Sequence, residues 1–405
     1  MGEKRTRRRF ADGVRSWLAL LLIAWPGAPL LAGGELVVGE GAKPAVDADA
    51  TLQSLVVWER RQDGGTEVVG QRFDGLGMPV GGILRISAGG AGEHREPDVA
   101  YLANGNAVVV WESRGRRRPA VLGRLFDGLG MPVGTIFRIN RRGEARFPAV
   151  DAGDDGTFVV AWSGSDGHGS DFRPHARLFD GFGMPVGRVL RFGSSGDAKP
   201  PAVAVAADGT FLVSWGDRRD DVAARLFDGI GMPLGKIFRV NASRAGDQLT
   251  PAASANPDGT FSVVWERDPG SGGHRAVFGR RVSSIGMPLG LELQINQTPF
   301  DRPAVPVIAT AHDGRALATW RCELDDVPDH TEIFARAFDG LGMPVGGEIQ
   351  VNLSRAHHLA PGVTAAGDGR FIVVWQRQPG GGDSDGDSDG DGDASEVLRR
   401  EIDPP

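Results

Sequence analysis

An all-β fold made of one repeated unit is predicted by three features of this 405-residue sequence. The passage FDGLGMPVG at 73–81 returns, with small changes, at 126–134, 179–187, 227–235, 282–290 and 338–346. Tryptophan recurs at Trp58, Trp111, Trp162, Trp215, Trp265, Trp320 and Trp375, each ending a short apolar run, at intervals of 50 to 55 residues. Asp-Gly separates two apolar runs at Asp155-Gly156, Asp208-Gly209, Asp258-Gly259, Asp313-Gly314 and Asp368-Gly369, with Asn104-Gly105 in the second unit. These dipeptides are the strongest short hairpin signals, and a repeated hairpin implies a repeated unit.

Four strands fit each unit. In the fourth they fall at 201–206, 210–215, 222–227 and 236–240, the first pair joined by Asp208-Gly209 and the second by the GMP passage. Runs such as FVVAW at 158–162 are apolar without alternation, as a strand covered on both faces requires. A four-stranded antiparallel meander of about 50 residues is the size of a propeller blade. The chain ends choose between a solenoid and a ring. GELVV at 34–38 aligns with the fourth-strand segment GEIQV at 347–351, and 397–403 aligns with a third strand. A strand four without a blade, and a blade without a strand four, complete each other when a ring closes and leave no exposed edge. The expected fold is therefore a seven-bladed β-propeller over 33–405, closed by the N-terminal strand completing the C-terminal blade. This layout resembles that of secreted bacterial-type seven-bladed β-propeller repeat proteins.

Composition agrees. Gly 61 and Pro 26 make the chain turn-rich, while 40% hydrophobic residues suffice for a core. Residues 1–32 read as a signal peptide: six cations between Lys4 and Arg15, an apolar run at 17–25, then Ala32 as a small residue for cleavage. Thr6-Arg7-Arg8-Arg9-Phe10 resembles the twin-arginine export motif, so the expected location is secreted or periplasmic. Pro26 and Gly27 interrupt an apolar run already short for a membrane span. Losing this leader takes the net charge from −7 to about −11, which argues against nucleic acid as a partner. The single cysteine, Cys322, excludes an intramolecular disulfide framework.

Blade geometry sorts the loops. The one-to-two turns and the three-to-four GMP connections share one face and are uniform; the other face carries loops of varied length and charge, where binding is expected. The last two-to-three loop, within 383–396, holds Asp385, Asp387, Asp389, Gly390, Asp391, Asp393 and Glu396 in the pattern D-x-D-x-D-G-x-x-D-x-x-E. This resembles the calcium loop of EF-hand proteins, and, lacking flanking helices, the helix-free calcium loops in blade hairpins of integrin-type propellers. The resemblance implies calcium held by Asp385, Asp387, Asp389, Asp391, Asp393 and Glu396; Gly392 departs from the usual apolar residue at position 8. The bland reading is a solvated Asp/Gly/Ser tract. Calcium here is expected to stiffen ring closure.

Other constellations are weaker. Arg116, Arg117, Arg118 and Arg142, with Arg114, Arg141 and Arg146 beside them, form a basic arc suited to an anionic glycan or an acidic protein patch. Asp325, Asp326 and Asp329 add to the acidic side. Asp166, His168, Asp171 and His175 read as a solvated loop rather than a transition-metal site. His94 and His357-His358 are placed in four-to-one loops, and the seven tryptophans are expected to plug the gaps between blades. In the GMP passage, the apolar trio (Leu129, Met131 and Val133 in unit two) is expected to fold as a plug against the neighbouring blade. The only tyrosine, Tyr101, lies in a predicted strand, no Asp box occurs, and no G-x-S-x-G, H-E-x-x-H or phosphate loop appears. The sequence therefore favours a secreted non-catalytic protein binding a glycan or protein ligand. The alternative is a propeller-type glycoside hydrolase or polysaccharide lyase acting on extracellular glycans, with carboxylate pairs that meet only in three dimensions.

Overall fold

A computed structural model describes residues 34–62, 64–87, 92–115, 118–165, 172–194, 196, 199–270, 273–297, 302–323, 330–354, 356–378 and 395–404. Residues 1–32, read from the sequence as a signal peptide, and the acidic loop 383–394 lie outside these residues. Among the described residues every regular element is a strand, and no helix is long and apolar enough to cross a membrane.

The chain opens with β1 (Leu36–Glu40). Unit one follows as β2 (Ala42–Ala48), β3 (Ser54–Gln62), β4 (Gly65–Phe73) and β5 (Pro79–Arg85). Unit two is β6 (Glu93–Tyr101), β7 (Ala107–Arg114), β8 (Ala120–Phe126) and β9 (Pro132–Arg138). Unit three is β10 (Glu144–Ala152), β11 (Phe158–Ser165), β12 (Arg173–Phe179) and β13 (Pro185–Arg191). Unit four is β14 (Ala202–Val205), β15 (Phe211–Gly216), β16 (Val222–Phe227) and β17 (Phe238–Arg239). Unit five is β18 (Asp247–Ala255), β19 (Phe261–Asp268), β20 (Ala276–Val282) and β21 (Pro288–Gln294). Unit six is β22 (Arg302–Thr310), β23 (Ala316–Glu323), β24 (Thr331–Phe338) and β25 (Pro344–Gln350). Last come β26 (His357–Ala365), β27 (Phe371–Gln378) and β28 (Glu396–Ile402).

Within each unit successive strands pair antiparallel, and single parallel bridges (Thr66 to Glu93, Thr331 to His357) join two pairs of units into eight-stranded sheets. β1 supplies the fourth strand of the last unit, pairing antiparallel with β28 from Leu36 opposite Arg399 to Glu40 opposite Glu396. The first strands contact one another in chain order from β2 to β26, and β26 in turn contacts β2. The hydrophobic core is divided between neighbours. Each cluster mixes two units: Val46, Val56 and Trp58 of unit one pack with Ile372, Val374 and Val397 of the last. The seven repeat tryptophans are at most 2% exposed, so the sequence reading of them as fillers between units holds.

The strands predicted for unit four agree with those observed, except that the fourth shrinks to Phe238–Arg239. His94, His357 and His358 sit in first strands, not in loops, because those strands run on past their proline through a bulge. The predicted plug is also corrected. Asp127 Oδ1 accepts the backbone N–H of Leu129 (2.9 Å) and Met131 (2.8 Å), and Gly130 takes φ +82°. That tight turn throws both side chains outward, 79% and 62% exposed, and only Val133 packs on the core. The glycine does lean on the neighbour: a Cβ at Gly130 would meet Arg72 and Leu84 of unit one. As expected, the GMP connections share a face with the Asp-Gly turns, Gly229 lying against Gly209 and Gly340 against Gly314.

Candidate functional site

The first strands carry a recurrent distortion that the sequence reading missed. Six of them bulge at an X-Pro step, where the residue before proline is left-handed: Lys43, Glu96, Phe147, Thr250, Val305 and Ala360 have φ between +44° and +52°. A side-chain-bearing residue in that region is strained by about 1–3 kcal/mol, and the surroundings must hold it there. Proline at a bulge costs no ladder hydrogen bond.

At four of the six bulges, the residue after a tryptophan does the holding. Glu59, following Trp58, accepts the Glu96 N–H at 2.7 Å with Oε1. Glu112, following Trp111, accepts the Phe147 N–H at 3.4 Å, and Gln376, following Trp375, accepts the Lys43 N–H at 3.4 Å. Glu266 plays the same part for Val305. Each contact crosses from one unit to the next. The signal was present in the sequence, as a Glu or Gln after four of the tryptophans and a proline within six of the first strands, but neither column points to the other until the units are stacked.

Glu59 and Glu96 form the most suggestive pair. Glu59 is 8% exposed, and burial holds its carboxyl above the usual range, opposed by the Glu96 N–H and the Lys43 charge. Glu96 is more open and its carboxylate pairs with Lys43 Nζ, which comes from the neighbouring unit. One carboxyl that burial biases towards its protonated form therefore lies beside another that is paired with an ammonium. Glu266 is likewise pushed up by burial, with Arg275 at 2.9 Å working against it.

Deeper along the same strands lie Asp47, Asp98 and Asp151. Each accepts a backbone N–H of the next unit's first strand: Tyr101 at 2.7 Å, Val150 at 2.8 Å and Val205 at 2.7 Å. Desolvation dominates their titration and pushes Asp98 and Asp151 up to about 7. These three pins stitch units one to four.

Of the residues singled out from sequence, Arg116 and Arg117 lie outside the described residues, as do Asp166, His168, Asp171, Asp325, Asp326 and Asp329. The basic arc is partly neutralised: Arg114 Nε meets Glu112 at 2.5 Å, and Arg146 meets Glu144 at 3.2 Å while stacking over Phe172. Arg118 and Arg142 are exposed. His175 is buried and stacked on Trp162, while His94 and His358 accept the indole N–H of Trp111 (3.2 Å) and Trp375 (3.0 Å). Burial lowers the pKa of both latter histidines, as their neutral acceptor role requires. Asp385, Asp387, Asp389, Asp391 and Asp393 lie outside the described residues. Glu396 begins β28 and is engaged by Arg377. Among the described residues no three His, Cys, Asp or Glu side chains converge as a metal site.

No family model and no curated protein matches the sequence. Solved structures do. A fungal alcohol oxidase in complex with copper superposes with a TM-score of 0.58 at 11% identity, over 92% of this chain and 76% of its own. A ulvan lyase from a polysaccharide lyase family gives 0.56 at 11%, over 89% and 95%. An α-L-arabinofuranosidase from Fusarium graminearum gives 0.53 at 10%, over 75% and 97%. The shared feature is the fold: this chain is an all-β protein of the β-propeller type. The expectation of a non-catalytic binding protein is overturned by this company, in which glycoside hydrolases and a polysaccharide lyase predominate.

Proposed function

We propose that this chain is a glycan-cleaving enzyme, a propeller-type glycoside hydrolase or polysaccharide lyase acting on extracellular glycans. The observation that carries the reading is the Glu59–Glu96 pair, two carboxyls in contrasting environments on adjacent units. Glycan cleavage needs one group that donates a proton and another that accepts one or attacks. Glu59, biased towards its protonated form, suits the donor, and Glu96 beside Lys43 suits the base or nucleophile. The same proposal takes the fold as a seven-bladed ring in which β1 completes the last blade, supported by the β1–β28 pairing and the β2–β26 contact. It takes residues 1–32 as an export signal, in keeping with a substrate outside the cell. It assigns calcium to Asp385, Asp387, Asp389, Asp391, Asp393 and Glu396, because crowded carboxylates repel one another until a divalent cation neutralises them.

The test is turnover of a polysaccharide panel by the mature protein, read as reducing ends for hydrolysis and as 235 nm absorbance for elimination. Glu59→Gln keeps an acceptor for the Glu96 N–H while removing the proton donor, and should lower kcat by 100-fold or more, about the usual contribution of a general acid. Absence of product from every glycan, or a fully active Glu59→Gln, would refute the proposal.

A further inference from the structure

The six GMP connections place a ring of apolar side chains in water. At the apex of each turn stands Leu76, Leu129, Phe182, Ile230, Ile285 or Leu341, and all six are 71 to 80% exposed. The methionine two positions on is 56 to 63% exposed in five of the six. Summed over the six tips, these side chains leave on the order of 1,000 Å² of apolar surface on one face, more than scattered single exposed residues would. A stable interface needs about 800 Å² from each partner, so one such face is sufficient.

That face also holds a receptacle. Between the fourth strand of unit five and the connection of unit six runs a cavity of about 630 Å³. Leu289, Leu291, Ile308, Phe338 and Met343 line it, and Leu291 is 91% exposed. The corresponding seam between units two and three is lined differently. There Leu125 of unit two lies against Gly183 of the next connection, whereas unit five has Arg281, whose guanidinium turns to Asp258 (2.5 Å) and to the Gly340 carbonyl (3.2 Å). Arg280 and Arg281 border the cavity.

We propose that this face is the interface of a homodimer, in which a connection tip of one copy enters the unit five–six groove of the other. The match is chemical as well as steric. A tip offers a bulky apolar residue and a methionine for the apolar floor, and an aspartate for the arginine border. Because tip and groove lie on one face, a two-fold axis lets each copy supply both, giving a closed pair instead of a chain. A bilayer suits the face less well. Asp74, Asp127, Asp180, Asp228 and Asp339 stand at the bases of five tips, and their charges would have to approach the lipid.

The test is sedimentation velocity of the mature protein from about 1 to 100 µM, with thermal melting in parallel. The expected result is a concentration-dependent dimer, and a monomer at all concentrations for Phe182→Asp/Leu341→Asp with an unchanged melting midpoint. Should that double variant melt early, Leu291→Arg at the groove rim serves instead and should also be monomeric. A wild-type protein monomeric at 100 µM, or a dimer that survives both variants, would overturn the proposal. So would a monomer that co-sediments with phosphatidylcholine vesicles, which would assign the face to a membrane.

Discussion

Asp98 and Asp151 give the molecule a pH dependence that can be isolated. Each sits partly buried in a first strand and accepts two backbone N–H groups, those of Val99 and Val150 and those of Ala152 and Val205. Those bonds favour the carboxylate, yet desolvation wins and raises both groups from 3.8 to about 7. An acid raised on folding stabilises the native state in its protonated form. That contribution is complete below 3.8 and is lost as pH climbs through about 7. A shift of about 3 units has a ceiling near 4 kcal/mol per group; with relaxation and residual water ~1–2 kcal/mol each is realistic. Asp258, Asp313, Asp368 and Glu292 are lowered, so their titration falls below pH 4.5 and leaves the window untouched. His94 and His358, lowered by burial, contribute the opposite slope up to pH 6.5. Comparison with a variant cancels it. Asp98→Asn/Asp151→Asn keeps a carbonyl for Val150 and Val205 and cannot ionise. Its melting midpoint, followed by circular dichroism, should gain on wild type by several degrees between pH 5 and pH 8. Parallel curves across that range would refute the assignment of desolvation as the dominant effect.

Other consequences are simpler to read. Trp265→Ala empties a site between units four and five and leaves Gln248 Oε1, which accepts the indole N–H at 2.8 Å, with Arg267 Nε at 3.2 Å alone; chemical denaturation should show a loss of about 3–5 kcal/mol. Met131→Asp, on an exposed turn, should change stability by less than about 0.5 kcal/mol by the same measurement. Asn241→Ala leaves the buried Val222 N–H without its acceptor at 2.8 Å and should cost about 1–3 kcal/mol. Adding calcium to the chelated protein should raise its melting midpoint, and Asp389→Ala should abolish that rise.

The architecture was legible because its determinants are local and repeated. An Asp-Gly turn, a tryptophan at a strand end and a GMP connection each fix a few residues, and the repeat made the four-strand unit readable from any single copy. What was not legible depends on stacking. Glu59 and Glu96 are 37 residues apart and meet only because one unit's second strand faces the next unit's bulge. The apolar connection misled for a different reason. Hydrophobic residues in a near-invariant motif suggest burial, but the Asp127 hydrogen bonds set the turn, and the turn decides where Leu129 and Met131 point. The basic arc looked free because its partners Glu112 and Glu144 are separated from Arg114 and Arg146 by a single residue, a spacing that pairs them on one strand face.

The β1–β28 ladder joins segments almost 360 residues apart in the chain, whereas the hairpins elsewhere close over a few. Bringing such distant segments together carries a loop-closure entropy about 1.7 kcal/mol greater than for a 50-residue unit. During refolding this ladder should therefore be the last to register. A fluorophore at Gly34 and another at Asp403 would flank adjacent strands of one sheet, just before β1 and just after β28. Energy transfer between them would report the docking of that terminal strand in real time, separately from the folding of the units it joins.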